Sequence, residues 1–151
     1  MRPLVRCLPL DCVAMKNRSN TRLSDCAFRH QWISEAAYYK AESRCFVSGK
    51  ELDDWLFAEH AFITMQIKRY LVIVREDDGM SLHGLQRLAK SLGVENTETM
   101  TVAIDLIHAI QKVTNTDACF NLEPQAPCNT SEPCLWKAEC KKMIARWCSS
   151  H

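Results

Sequence analysis

Cysteine and lysine are the residues of this chain with chemistry to offer. Five of the nine cysteines fall after Val113, and four of these, Cys119, Cys128, Cys134 and Cys140, are separated by eight, five and five residues. Four thiolates gathered in one place hold zinc tetrahedrally or a small iron–sulfur cluster. No Cys-x-x-Cys knuckle occurs, although both kinds of site commonly use one. Three chemistries therefore stay open: metal ligation, disulfides, and free thiols packed as small apolar side chains. An odd cysteine count and a reducing compartment argue against disulfides. Cys7, Cys12, Cys26, Cys45 and Cys148 fall outside the set and read as ordinary thiols.

The cations are unevenly spread. Net charge is +1, yet residues 1–30 hold six Lys or Arg against Asp11 and Asp25, and residues 134–151 set Lys137, Lys141, Lys142 and Arg146 against Glu139. Contact with DNA or RNA, if through phosphates, is expected from these basic ends, with Arg87 and Lys90 adding to the set in the middle of the chain. A protein-interaction adaptor is one alternative, because near-zero net charge gives no general attraction to a polyanion; a metal-dependent redox sensor built on the four cysteines is another.

Bond-breaking chemistry finds no candidates. Asp53 and Asp54 point about 100° apart on a helix, so they do not converge on one ion. They also fall in a first turn, where acids favour the positive end of the helix dipole. The histidines at 30, 60, 83, 108 and 151 form no His-x-x-x-His pair, and four glycines supply no phosphate-cradling loop. The expectation is a non-enzymatic protein.

The elements that must position these groups are helices. From residue 24 to about Ser43, Phe28, Trp32 or Ile33, Ala36, Ala37 and Tyr39 recur on one side. Ser48-Gly49-Lys50-Glu51 reads as a capping box, with the Ser48 hydroxyl accepting an amide and Glu51 reaching back to the Ser48 amide. A long helix follows with Leu52, Trp55, Leu56, Phe62, Ile63, Ile67, Tyr70 and Leu71 as its stripe, Trp55 being an anchor between helices. Glu76-Asp77-Asp78-Gly79 ends it. Two shorter helices come next. Leu82, Leu85, Leu88, Ala89 and Leu92 line the first, capped by Ser81 and closed by Gly93. Val102, Ala103, Leu106, Ile107, Ile110 and Val113 line the second, with Thr99 or Thr101 as cap. Pro133 then suits the first turn of a last helix through Cys134, Trp136 and Cys140 to about Trp147.

Two stretches resemble known families. MSLHGLQRLAKSLGVENTETMTVAIDLIHAIQKV, residues 80–113, with Leu92-Gly93-Val94 before its turn, Asp105-Leu106-Ile107 and a closing Ile110-Gln111, resembles the N-terminal domain of Rho termination factor and the similar SAP-type fold. That resemblance implies a helix–extended-turn–helix unit that binds nucleic acid, with its phosphate contact just before the second helix. Here Met100-Thr101-Val102-Ala103-Ile104 holds no Lys or Arg, so the contacts fall on the flanking cations. The tail, with Cys119-Phe120, then Cys128, then Cys134-Leu135-Trp136 through Cys140, is similar to bacterial proteins that join such a unit to a cysteine tail; this implies that the four cysteines belong together. ISEAAYYKAESRCFVSGKELDDWLFAE, residues 33–59, resembles a short bacterial helical-hairpin domain with no assigned function. Cys45 stands where that pattern usually has Gly, and a side chain in a left-handed cap costs about 1 kcal/mol.

The expected architecture is all-α: a loose arm over 1–23, a helical hairpin over 24–76, the Rho-N/SAP-like unit over 79–114, and a Cys-rich tail over 115–151 ending in a helix. Some ten large apolar side chains at about 2 kcal/mol each offset ordering entropy only narrowly, so the units are expected to share one core or to form a homodimer. No run approaches the ~18 apolar residues of a membrane span. Asp11 interrupts the apolar patch near Met1 and no small-residue cleavage site follows, so cytoplasmic residence is expected.

Overall fold

Apolar spacing sets where this chain is helical, but it does not always decide which face becomes core. The computed structural model describes residues 25–120 and 134–149, without the side chains of 147 and 148. The arm over 1–23 and Cys128 lie outside the described residues. Every regular element among the described residues is helical: α1 (Asp25–Ser43), α2 (Glu51–Glu76), α3 (Leu82–Ser91), a short 3₁₀ turn (Thr97–Thr99), α4 (Ala103–Val113) and α5 (Lys137–Ser149).

The first four helices end in the same way. A residue in the left-handed region follows each, and the next amide reaches back five residues to a helical carbonyl, which satisfies groups the helix end leaves open. The left-handed residues are Cys45, Asp78, Gly93 and Asn115. The closing bonds run from Phe46 N to Ala41 O (2.9 Å), Gly79 N to Val74 O (3.0 Å), Val94 N to Ala89 O (3.0 Å) and Thr116 N to Gln111 O (2.8 Å). Gly, Asn and Asp tolerate this conformation. Cys45 does not share that tolerance, and Phe46 beside it also has a positive φ of 54°.

Helix starts are less uniform. Ser81 caps α3 by accepting from the Gly84 amide at 3.1 Å. The expected capping box at Ser48 does not form: Gly49 turns at φ 88°, the helix begins at Glu51, and the Glu51 carboxylate accepts from the Gly49 amide at 3.0 Å instead. Lys50, the residue before α2, makes no side-chain cap. Neither Thr99 nor Thr101 caps α4, which starts after an extended Val102 with no side-chain cap.

The long helix α2 buries two different faces. Asp54, Ala58 and Phe62 are buried in its first half, and Ile67, Tyr70, Leu71 and Val74 in its second. At 3.6 residues per turn these two sets lie about 170° apart around the axis. The first set meets α1, where Phe28 and Trp32 place their rings 6.3 and 5.5 Å from Phe62. The second joins Leu85, Leu88, Ala89, Leu92, Leu106, Ile107 and Ile110 of α3 and α4. One continuous core results, from Ile33 to Trp136. Leu52 and Leu56, expected in the stripe, are 69% and 51% exposed, because the seam with α1 passes through Asp54 and Ala58 on the other side.

Charged groups tie the corner of the hairpin. Arg44 donates to both carboxylate oxygens of buried Asp54 and to the Val47 carbonyl. Farther along, Arg29 joins Glu59 at 2.7 Å to the Leu92 carbonyl at 3.1 Å, bridging α1, α2 and the end of α3. Gly93 at φ 91° leaves room for it, since a Cβ there would stand 2.8 Å from the Arg29 guanidinium. None of the described helices is long and apolar enough to cross a membrane.

Candidate nucleic-acid interface and cysteine set

The α3–α4 unit presents one of its two expected cations freely. Arg87 is exposed. Lys90 instead reaches across the turn to Glu98 at 3.3 Å. The Glu98 carboxyl is held below the usual carboxylate range, first by its own backbone amide and then by Lys90. Between the two helices, Gln86 donates to the Met100 carbonyl at 3.1 Å, fixing the extended entry to α4. Thr97, in the connecting turn, is buried.

On α5 the four cations divide by face. Lys137 and Lys141 are one turn apart and exposed. Lys142 pairs with the buried Glu139 at 2.9 Å. Arg146 and Lys142 line a cavity of about 30 Å³ together with Asp78, Gly79, Met80, Glu139 and Met143. That space suits a single water and mixes both signs of charge, so it is not an anion cradle.

Two buried aromatic residues tie the tail to the body, with half-buried Cys134 and Cys140 packed against the same core. Phe120 and Trp136 are 1% and 4% exposed and meet edge-on at 6.2 Å. Trp136 also lies 6.4 Å from Tyr70. The chain leaving α4 is folded back by buried Gln111, whose Oε1 accepts from the Phe120 amide at 3.3 Å. His108 Nε2 donates to the Phe120 carbonyl at 2.7 Å. Tyr70 carries a buried hydroxyl with no hydrogen-bond partner. Burial, helped by Glu139, pushes its pKa up to about 12.

Cys119 is exposed, and Cys134 and Cys140 are half-buried. Cys134 sits in the lead-in to α5, not on the helix. Gln111 Nε2 points to Cys119 Sγ at 3.8 Å. Among the described residues, no three His, Cys, Asp or Glu side chains gather as a group able to hold a metal. Cys26, expected to be an ordinary thiol, is disulfide-bonded. Spacing along the chain does not reveal which sulfurs the fold brings within bridging distance.

What sequence reasoning missed was signalled only indirectly. Phe120 and Trp136 flank the cysteines that drew attention, and large aromatic side chains beside a polar loop are good anchor candidates. Asp54 was legible as a first-turn acid, whereas its pairing with Arg44 needed the corner geometry. Residues 29–62, which span most of α1 and the first half of α2, match the model of a family described as "Protein of unknown function (DUF2934)". No curated protein and no solved structure matches the chain. The hairpin is therefore similar to a family whose function is itself unassigned.

Proposed function

We propose that this is a non-enzymatic, nucleic-acid-associated accessory protein, linked to transcription or its termination and contacting mainly phosphates. The observation that supports this best is a set of exposed cations engaged by no carboxylate among the described residues: Arg87 on α3, and Lys137 and Lys141 on α5. Arg87 belongs to the helix–turn–helix unit itself, whose extended entry to α4 is held by Gln86, and the two lysines follow it in the chain. Lys90 and Lys142 already have acidic partners and contribute less.

Each cation placed on a phosphate releases a counterion, so three contacts give a log–log salt slope of about −2 to −3. Fluorescence anisotropy with single-stranded RNA and duplex DNA across a salt series measures this. K137A/K141A is expected to flatten the slope by about 2 without changing the fold. No binding at low salt overturns the proposal.

A second reading, a protein-interaction adaptor, draws on the hairpin end. There Tyr38 lies 5.7 Å from Tyr39 and 5.5 Å from Phe46, and all three rings are more than half exposed. Partners that survive nuclease treatment in a pull-down favour this reading over the first.

A further inference from the structure

The face of α2 that α1 covers is only half used. Asp54, Ala58 and Phe62 are buried along its covered part. In the same helical register the face continues as Met65, Arg69, Val72, Ile73 and Glu76. Helix α1 begins at Asp25, and near that start Phe28 and Arg29 already stand against Phe62 and Glu59. Beyond Phe62, α2 turns its other side into the core. Val72 and Ile73 are left 47% and 53% exposed, and a shallow groove runs along the helix past Ala61, Met65, Arg69 and Val72.

Charge around this face is self-complementary. Arg69 precedes the apolar pair and Glu76 follows it on the face itself; Lys68 and Asp77 stand at its two edges, and exposed Arg75 stands about 100° round the helix from its centre. Lys68, Arg69, Glu76 and Asp77 are all exposed, and none forms an ion pair among the described residues.

We propose that this face binds a second copy of the chain, α2 against α2, antiparallel across a twofold axis beside Val72 and Ile73. Twofold pairing is reciprocal. It sets Arg69 and Lys68 of one copy against Glu76 and Asp77 of the other, twice, with the Val72–Ile73 pairs meeting at the centre. A uniformly acidic or basic partner answers only one end of the pattern. Residues 1–24 carry five cations against Asp11, so they match Glu76 and Asp77 but oppose Lys68 and Arg69. A second copy answers both ends. This pairing rests on α2 and stands apart from the nucleic-acid proposal.

Sedimentation equilibrium of the full chain tests it. The expected mass is twice the 17.3 kDa chain, and Ile73→Glu is expected to halve it with the far-UV circular dichroism unchanged. K68E/R69E and E76K/D77K are each expected to be monomeric, because each sets like charges together at both ends. Mixed in equal amounts, the two should recover the dimer mass. Three results overturn the proposal: a monomeric wild type, a dimer that survives Ile73→Glu, or a mixture that stays monomeric. A monomer whose Ile73 is shielded from hydroxyl-radical footprinting means the chain covers this face itself, and also overturns it.

Discussion

The two halves of α2 do opposite things with one continuous helix. Its first half meets a single partner, α1, through the Asp54–Ala58–Phe62 face, and that contact is edged by ion pairs at Arg44–Asp54 and Arg29–Glu59. Its second half turns Ile67, Tyr70, Leu71 and Val74 onto a purely apolar set from α3 and α4. A helix between two partners on opposite sides cannot show one clean stripe. Such a helix couples what the sequence presents as separate units, since unfolding either side exposes part of the same rod.

Truncating a large side chain on each side gives the largest effect and tests that coupling. Phe62→Ala is expected to cost about 3–5 kcal/mol and Leu106→Ala about 2–5 kcal/mol. Both should lower a single thermal transition monitored by circular dichroism. Two transitions, one moved by each variant, would show that the halves melt independently.

Acid distinguishes the halves next. The Arg44 guanidinium holds the Asp54 carboxyl below its usual range, and backbone amides with Arg44 do the same for Glu51. Because these folded-state pKa values are lowered, their stabilisation is fully present above the ordinary carboxylate pKa of about 4 and is lost as pH falls through the folded values. Urea midpoints measured from pH 7 downward should drop below pH about 4. Asp54→Asn should flatten that drop more than Glu98→Gln, whose carboxylate is exposed.

Smaller effects sharpen the contrast. Tyr70→Phe removes a buried hydroxyl that has no partner, and is expected to stabilise the second half by about 1 kcal/mol. Cys45→Gly relieves a left-handed side chain at the hairpin corner and should stabilise by up to about 1 kcal/mol. Both are read as increases in the urea midpoint at constant slope.

Much of the helical framework was legible in advance. Ser81 and Gly93 bracket α3 as their residue types require, and the apolar spacing of Leu106, Ile107 and Ile110 marked the buried side of α4. Leu52 and Leu56 misled, because their spacing fits an apolar stripe while the hairpin seam runs on the other side. Among the candidate contact residues, exposure of Arg87, Lys137 and Lys141 followed from their type. The engagement of Lys90 by Glu98 joins residues eight apart across a turn, which helix spacing rules do not cover.

By itself the sequence determined where the chain is helical and how most helices stop, because caps, left-handed residues and apolar spacing act within a few neighbours. It also set the inventory of thiols and cations. Only the tertiary structure decided which face of α2 meets which partner, that Phe120 and Trp136 close on each other from either side of the cysteine loop, and which carboxylate each cation meets. Those outcomes depend on distances between residues far apart in the chain. A local pattern carries no record of them, because the same helix can bury either side at similar cost until its neighbours are in place.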